Sequence, residues 1–251
     1  MSSTAKVVLI TGGSRGIGAA TASLAAARGY VVAIAFRSNA AAAQRVVDGI
    51  ERSGGSAFAV QADVGSEADV RRLFAEVDRR AGRLDALINN AAILKQQTRV
   101  ESIDAARLER VFATNVIGAF LCAREAVTRM SARRGGRGGA IVNVSSGAAR
   151  TGSPNEYVDY AASKAALDAL TIGLAKEVAA DGIRVNGVRP GFIYTELHAS
   201  GGEPNRVDRL APSIPMRRGG RPEEIAPAIV WLLSDEASYV TGAVIDASGG
   251  A

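Results

Sequence analysis

Seven short runs rich in β-branched residues recur along the chain: KVVLIT (6–11), VVAIAF (31–36), SAFAVQ (56–61), LDALINN (84–90), AIVNVSS (140–146), IRVNGVRP (183–190) and AVIDAS (243–248). Helical patterns separate most of them. Two parallel strands need a crossover of a dozen or more residues between them, and a helix supplies it. The order therefore predicts an α/β fold: right-handed βαβ units building one doubly wound parallel sheet of about seven strands, with helices on both faces. The helices are expected from near Ile17 to around Gly29, over roughly 40–53, 67–81 and 105–131, and from near Tyr157 to about Ala180. Another opens at Pro222, with Glu223 and Glu224 in its first turn, and Pro227 inside it predicts a slight kink.

Composition decides how many domains this pattern fills. With 251 residues, 47% apolar and 22% charged, the chain suits one large α/β domain or two small ones, and no Pro/Ser-rich linker divides it. A single domain over 1–251 is expected. The polar MSSTAK leads straight into VVLIT, too short for a signal h-region, and no uncharged apolar run reaches membrane-spanning length, which predicts a cytoplasmic protein without a membrane partner. One cysteine, Cys122 in an apolar pattern, cannot form an internal disulfide and fits a reducing compartment. The net charge of +5 permits acidic partners, and RMSARRGGRGG (129–139) concentrates arginine. That run is short, lacks aromatic stacking residues and falls between a helix and a strand, so it reads as a connecting loop, and no nucleic-acid partner is expected. No metal site is expected either.

TGGSRGIG (11–18) follows the first strand and opens the first helix. Backbone N–H groups point outward at such a turn and the helix N-terminus favours an anion, so the position predicts dinucleotide binding and a single-domain Rossmann fold. The spacing is Gly12-x-x-x-Gly16-x-Gly18 rather than G-x-G-x-x-G, and Gly12, Ser14, Arg15, Gly16, Ile17 and Gly18 are the expected contacts. An acid near the end of the second strand would hold a ribose 2′-hydroxyl, but no acidic residue occurs from Val31 to Val47, and the strand ends in Phe36-Arg37-Ser38. Arg37, helped by Arg15, would attract a 2′-phosphate. NADP(H) is expected in preference to NAD(H), with Arg37 and Ser38 as contacts.

YVDYAASK (157–164) contains two tyrosines, and only Tyr160 has a cation four positions on, at Lys164; Tyr157 has Ala161 there. A free phenol titrates near ~10, so proton exchange near neutrality needs its anion favoured by roughly 4 kcal/mol. An ammonium at about 4 Å and an effective dielectric near 20 supplies that much. The plainer alternative is a tyrosine with an unrelated lysine one turn away.

The glycine loop, INNAA (88–92), Asn115 in TNVIGAF, the serine pair of IVNVSS, YxxxK and RPG (189–191) stand in one order. Together they resemble the short-chain dehydrogenase/reductase family over essentially the whole chain, in the branch of bacterial glucose 1-dehydrogenase-like and 3-oxoacyl-carrier-protein-reductase-like members. The resemblance implies a hydride transfer between nicotinamide and a carbonyl or alcohol, with Tyr160 as acid/base. Lys164 would lower the tyrosine's pKa and bind the nicotinamide ribose. Ser146 would hold the substrate oxygen, with Ser145 as its rival, and Asn115 would hold a water linking Lys164 to solvent. The resemblance also implies that Asp63 and Val64 contact adenine, that Asn89 stabilises the sheet and approaches the cofactor, and that Ala91, Pro190, Gly191, Ile193 and Thr195 line the cofactor site. Ala92 departs from the family's glycine, and its methyl group would crowd the cofactor.

The segment 196–221 is rich in glycine, proline and charge and reads as a substrate-binding lid. It carries the chain's one histidine, His198, which reads as a surface or pocket-lining residue; Tyr157 is a second candidate for the pocket. A sugar lactol, a 3-oxoacyl thioester, a small ketone and a quinone all remain open as substrates. A catalytically silent NADP(H)-binding sensor or scaffold is the alternative, disfavoured because Asn115, Ser146, Tyr160 and Lys164 are all present. A redox-neutral reaction on a retained cofactor is a third. The resemblance further implies a homotetramer.

Overall fold

The computed structural model describes residues 5–251. The polar opening at 1–4, part of the stretch judged too short for a signal sequence, lies outside the described residues. Seven parallel strands form one sheet in the order β3-β2-β1-β4-β5-β6-β7. They are β1 (Val7–Thr11), β2 (Val31–Phe36), β3 (Ser56–Gln61), β4 (Ala86–Asn89), β5 (Gly139–Val144), β6 (Ile183–Pro190) and β7 (Val244–Ala247). Alternation along β1 explains why both faces must be covered: Val8 and Ile10 join one apolar cluster, Val7 and Leu9 the other.

The first face is closed by α1 (Gly16–Ala27), α2 (Ala40–Arg52) and α10 (Pro222–Leu233), which bury Ala22, Val47 and Ile229 against Val32 and Ile34. The opposite face takes α3 (Glu67–Ala81), α5 (Gly118–Met130) and α7 (Val158–Val178), through Phe74, Cys122 and Val178. Caps fix several starts: Asn39 Oδ1 accepts the Ala42 N–H, and Ser66 Oγ accepts the Asp69 N–H. The α10 helix runs from Pro222 unbroken through Pro227. The expected 105–131 helix is three pieces: α4 (Ala105–Phe112), a π turn at Ala113–Ile117, and α5. By length and composition Ala105–Met130 would be long and apolar enough to cross a membrane, but Cys122, Ala126 and Met130 are packed into the core.

Strand β1 pairs with β2 on one side and β4 on the other, so the chain reverses its direction of travel across the sheet beside β1. The loops leaving the C-terminal ends of β1 and β4 diverge there to opposite faces. That crevice is where a doubly wound sheet binds its ligand.

Candidate active site

The crevice floor is the glycine loop. Gly12 and Gly16 have φ of +65° and +53°, which side chains rarely adopt. A Cβ on Gly12 would stand 2.9 Å from Ala91 Cα, and one on Gly18 would stand 2.4 Å from the Gly12 carbonyl oxygen. The loop is therefore a close-fitting cradle at the N-terminus of α1, whose first turn contains no acidic residue. Such a cradle of N–H groups fits a pyrophosphate. Thr11 Oγ1 accepts the N–H groups of Asn90 and Ala91, both at 3.0 Å, and Asn90 Nδ2 donates to the carbonyls of Thr11 and Gly12 at 2.9 and 3.0 Å. The turn after β4 is thereby tied to the loop after β1.

Gly12, Ser14, Arg15, Gly16, Ile17, Arg37, Ser38, Asp63, Val64 and Ala91 line this half of the cleft together. Arg15 and Arg37 are exposed there, and neither makes a salt bridge to a described residue. Asn89 departs from the expectation that it approaches the cofactor. It is buried, sits opposite Asn143 in the β4–β5 register, and donates through Nδ2 to Asn143 Oδ1 at 2.9 Å and to the Ala119 carbonyl at 3.3 Å. It holds the sheet to α5, and its neighbour Asn90 lines the cleft instead.

The other half is built where β5 ends. Ser145 and Ser146 follow Val144 and turn to different sides. Ser145 is buried and donates to the Lys164 carbonyl at 3.1 Å, whereas Ser146 lines the same cavity as Tyr160. Ser146 Oγ also accepts the Ala148 N–H at 3.1 Å, at the start of α6 (Ala148–Thr151). On α7, Lys164 lies one turn below Tyr160, with Nζ 5.7 Å from the ring centroid. Tyr157 precedes the helix and donates its hydroxyl to the Gly201 carbonyl at 3.1 Å. Of the two phenols, Tyr160 is the one that meets a cavity-lining serine.

The electrostatics correct one expectation. Burial pushes the Tyr160 phenol up to about 12, with the neighbouring Ser146 hydroxyl opposing, and Lys164 does not draw it down. The reason is positional: the Lys164 ammonium donates to the Val144 carbonyl at 2.8 Å. Burial in turn lowers Lys164 to about 8, against the Asp168 carboxylate, which favours the cation. Asn115 is fixed by direct bonds. Its Oδ1 accepts the Ile93 N–H at 2.8 Å, and its Nδ2 donates to the Ile93 carbonyl and to Ser163 Oγ at 3.1 and 3.0 Å. The side chain braces the chain after β4 against α7, with no bond to Lys164. It stands in the π turn, a local irregularity common at functional sites.

Pro190, Gly191, Ile193 and Thr195 line the catalytic half, and Thr195 also lines the cofactor half, as do Ile17, Asn90, Leu197 and Ala92, the position set aside for its methyl group. The two halves form one cleft. Over it runs the 196–221 segment, folded into α8 (Glu196–Ser200) and α9 (Arg206–Leu210). Arg206 has no obvious signal in the sequence, yet it is buried, lies 4.9 and 5.6 Å from the Tyr157 and Phe192 ring centroids, and pairs with Glu156 and Glu203.

A doubly wound sheet with a glycine cradle at its switch point, and a serine and tyrosine hydroxyl converging at the far end of the same cleft, defines an oxidoreductase of nicotinamide cofactors. A family model described as enoyl-(acyl carrier protein) reductase matches residues 12–251. The chain belongs to the short-chain dehydrogenase/reductase family. It is 62% identical over 244 residues to the uncharacterized oxidoreductase YgfF of Escherichia coli K12, covering 97% of this chain and 99% of that one. It is 37% identical to NADPH-dependent aldehyde reductase 1, chloroplastic, of Arabidopsis thaliana, over 98% of this chain and 86% of the relative. The crystal structure of 3-ketoacyl-(acyl-carrier-protein) reductase from Brucella melitensis complexed with NADH superposes with a TM-score of 0.90 at 33% identity, over 98% of this chain and 97% of that one.

Proposed function

We propose that the protein is an NADP(H)-dependent oxidoreductase that interconverts a carbonyl and an alcohol, with Tyr160 as the acid/base, acting as a cytoplasmic homotetramer. The observation that carries the chemistry is the Ser146–Tyr160 pair of hydroxyls in one cavity, one helical turn above the buried Lys164. The cofactor, when bound, supplies or accepts the hydride. Gly12, Gly16 and Gly18 would hold its pyrophosphate against the N-terminus of α1, and Lys164 its nicotinamide ribose. Ser146 orients the substrate oxygen. Tyr160 holds a proton at Oη, gives it to that oxygen in reduction and takes it back in oxidation. To offset the phenolate left behind, the Lys164 ammonium would turn from the Val144 carbonyl that it meets at 2.8 Å, and Asn115 fixes the wall of the site beside α7.

Two exposed guanidinium groups, Arg15 and Arg37, without an ion pair among the described residues, at the mouth of the cofactor half support NADP(H), and so does the name of the plant relative. The bacterial structure complexed with NADH keeps the preference a matter for experiment. The test is NADPH and NADH oxidation against aldehydes, ketones, quinones and acyl thioesters. Tyr160→Phe is expected to lose on the order of 10³-fold in turnover with NADPH affinity kept. Arg37→Asp is expected to weaken NADPH far more than NADH. Near-normal turnover by Tyr160→Phe would end the assignment, and equal losses for both cofactors in Arg37→Asp would end the preference.

A further inference from the structure

Tyr160 sits in the first turn of α7, where a helix does least to hold its own residues because the opening N–H groups have no intrahelical acceptor. Nor does a side chain cap this helix. The N-cap position is Tyr157, which makes no capping bond and donates its hydroxyl to the Gly201 carbonyl instead. The acid/base of the proposed reaction therefore stands where a helix frays unless another segment fixes it.

Arg107 of α4 supplies the fixture. Its Nε and Nη2 donate to Asp159 Oδ2 and Oδ1 at 2.7 and 3.0 Å, a forked pairing that sets orientation as well as distance. Asp159 immediately precedes Tyr160, and its side chain is only 1% exposed. The remaining prong, Nη1, donates to the Gln96 carbonyl at 2.7 Å. Gln96 belongs to the stretch after β4 that brings Ala92 and Leu94 to the cavity, while α7 brings Tyr160 and Lys164. One guanidinium thus ties two walls of the site together. Arg107 is itself anchored, its backbone N–H going to Asp104 Oδ1 at the start of α4 at 2.7 Å. A buried ion pair is weak evidence of a role in stability, since apolar side chains of similar volume often serve a fold as well. What they do not reproduce is the fork.

We propose that Arg107 is a positioning residue: through Asp159 it fixes the first turn of α7, and with it the Tyr160 hydroxyl, relative to the wall that carries Leu94. Arg107 and Asp159 lie outside the lining of both halves of the cleft, so they act on the reaction only through Tyr160 and that wall. The proposal rests on the reading of Tyr160 as the acid/base.

Removing one charge alone leaves the other buried and unpaired, which would confuse misfolding with misplacement. The informative protein is the double variant Arg107→Met/Asp159→Leu, in which both charges go and the exposed Gln96 gives its carbonyl to water. Its Tm is expected within about 5 °C of wild type and its NADPH affinity, by fluorescence titration, within about twofold. Its kcat and kcat/KM for a carbonyl compound should fall together by roughly 10- to 100-fold, with KM little changed. Arg107→Lys, which keeps the charge and loses the fork, should fold as wild type and recover only part of kcat. Wild-type kcat in either variant, with Tyr160→Phe inactive, overturns the proposal and leaves the acid/base reading standing. Turnover retained by Tyr160→Phe takes both down.

Amide hydrogen exchange reads the clamp without turnover. The Ala161 N–H, given to the Tyr157 carbonyl at 2.9 Å, should exchange at least about tenfold faster in the double variant, with the amides of α10 unchanged. An unchanged rate at Ala161 overturns the proposal even where no carbonyl compound is found that the enzyme reduces.

Discussion

The two halves of the cleft are held by different kinds of interaction. The cofactor half is made of backbone: glycines with positive φ, helix N–H groups, and Asn90 and Thr11 bridging two loop carbonyls and amides. The substrate half is roofed by side chains from distant segments, with Arg206 stacked on Tyr157 and Phe192 and paired to Glu156 and Glu203. A backbone-built site tolerates no added atom, whereas a side-chain-built roof can exchange its parts. The first is suited to one ligand shape, the second to a substrate that differs among relatives.

The largest effect that would break this contrast is expected at Gly18. A Cβ there meets the Gly12 carbonyl oxygen at 2.4 Å and Asn90 Nδ2 at 2.6 Å, so Gly18→Ala must push the loop out of register. An overpacking cost of ~1–3 kcal/mol falling on the binding conformation corresponds to roughly 5- to 150-fold in affinity. NADPH titration by fluorescence measures it, alongside thermal melting to show that the variant is folded. Wild-type affinity would mean that the cradle is looser than its contacts indicate.

Arg206→Ala tests the other half with a smaller expected effect. Removing the guanidinium leaves Glu156 and Glu203 with Arg209, which pairs with both. Both glutamates keep partial solvent access, so the cost is put at ~1–2 kcal/mol, below that of a fully buried pair, or about 2–8 °C in Tm. The substrate KM should rise while NADPH affinity stays within about twofold of wild type. Equal damage to cofactor binding would show that the two halves are not separable.

The same contrast explains what could be read in the sequence. Strand and helix positions followed from periodicity and caps, because alternation and the glycine loop are local signals. Alternation only sets Ser145 and Ser146 on opposite sides, and the family resemblance favours the second; in the structure Ser145 turns to the Lys164 carbonyl while Ser146 lines the cavity. Asn89 holds the sheet as expected, but β4 ends with it: this last paired residue points into the sheet, and Asn90, the next one, is free to turn to the cleft. The π turn at Ala113–Ile117 was invisible, since one extra residue in a helical turn leaves composition unchanged. Arg206 and the unpartnered Nδ1 of His198 depend on contacts between segments far apart in sequence, which no local pattern encodes.

The smallest expected effect lies deep in the catalytic half, at Lys164. In the proposed mechanism, reduction needs a protonated Tyr160 and a cationic Lys164. The phenol, pushed up to about 12, stays protonated through the neutral range, whereas the ammonium, lowered to about 8, does not. The kcat/KM for reduction is therefore expected to be level below pH 7 and to fall as pH rises through about 8, well before the phenol ionises. Asp168 favours the Lys164 cation, and its carboxylate also receives the Arg189 Nε–H at 2.9 Å. In Asp168→Asn the ammonium loses that support and Arg189 keeps only its longer 3.5 Å contact with Asp246. Both changes disfavour the cation, so the falling limb should move to lower pH with the plateau rate preserved. A limb that stays in place, or moves upward, would show that Lys164 does not govern it.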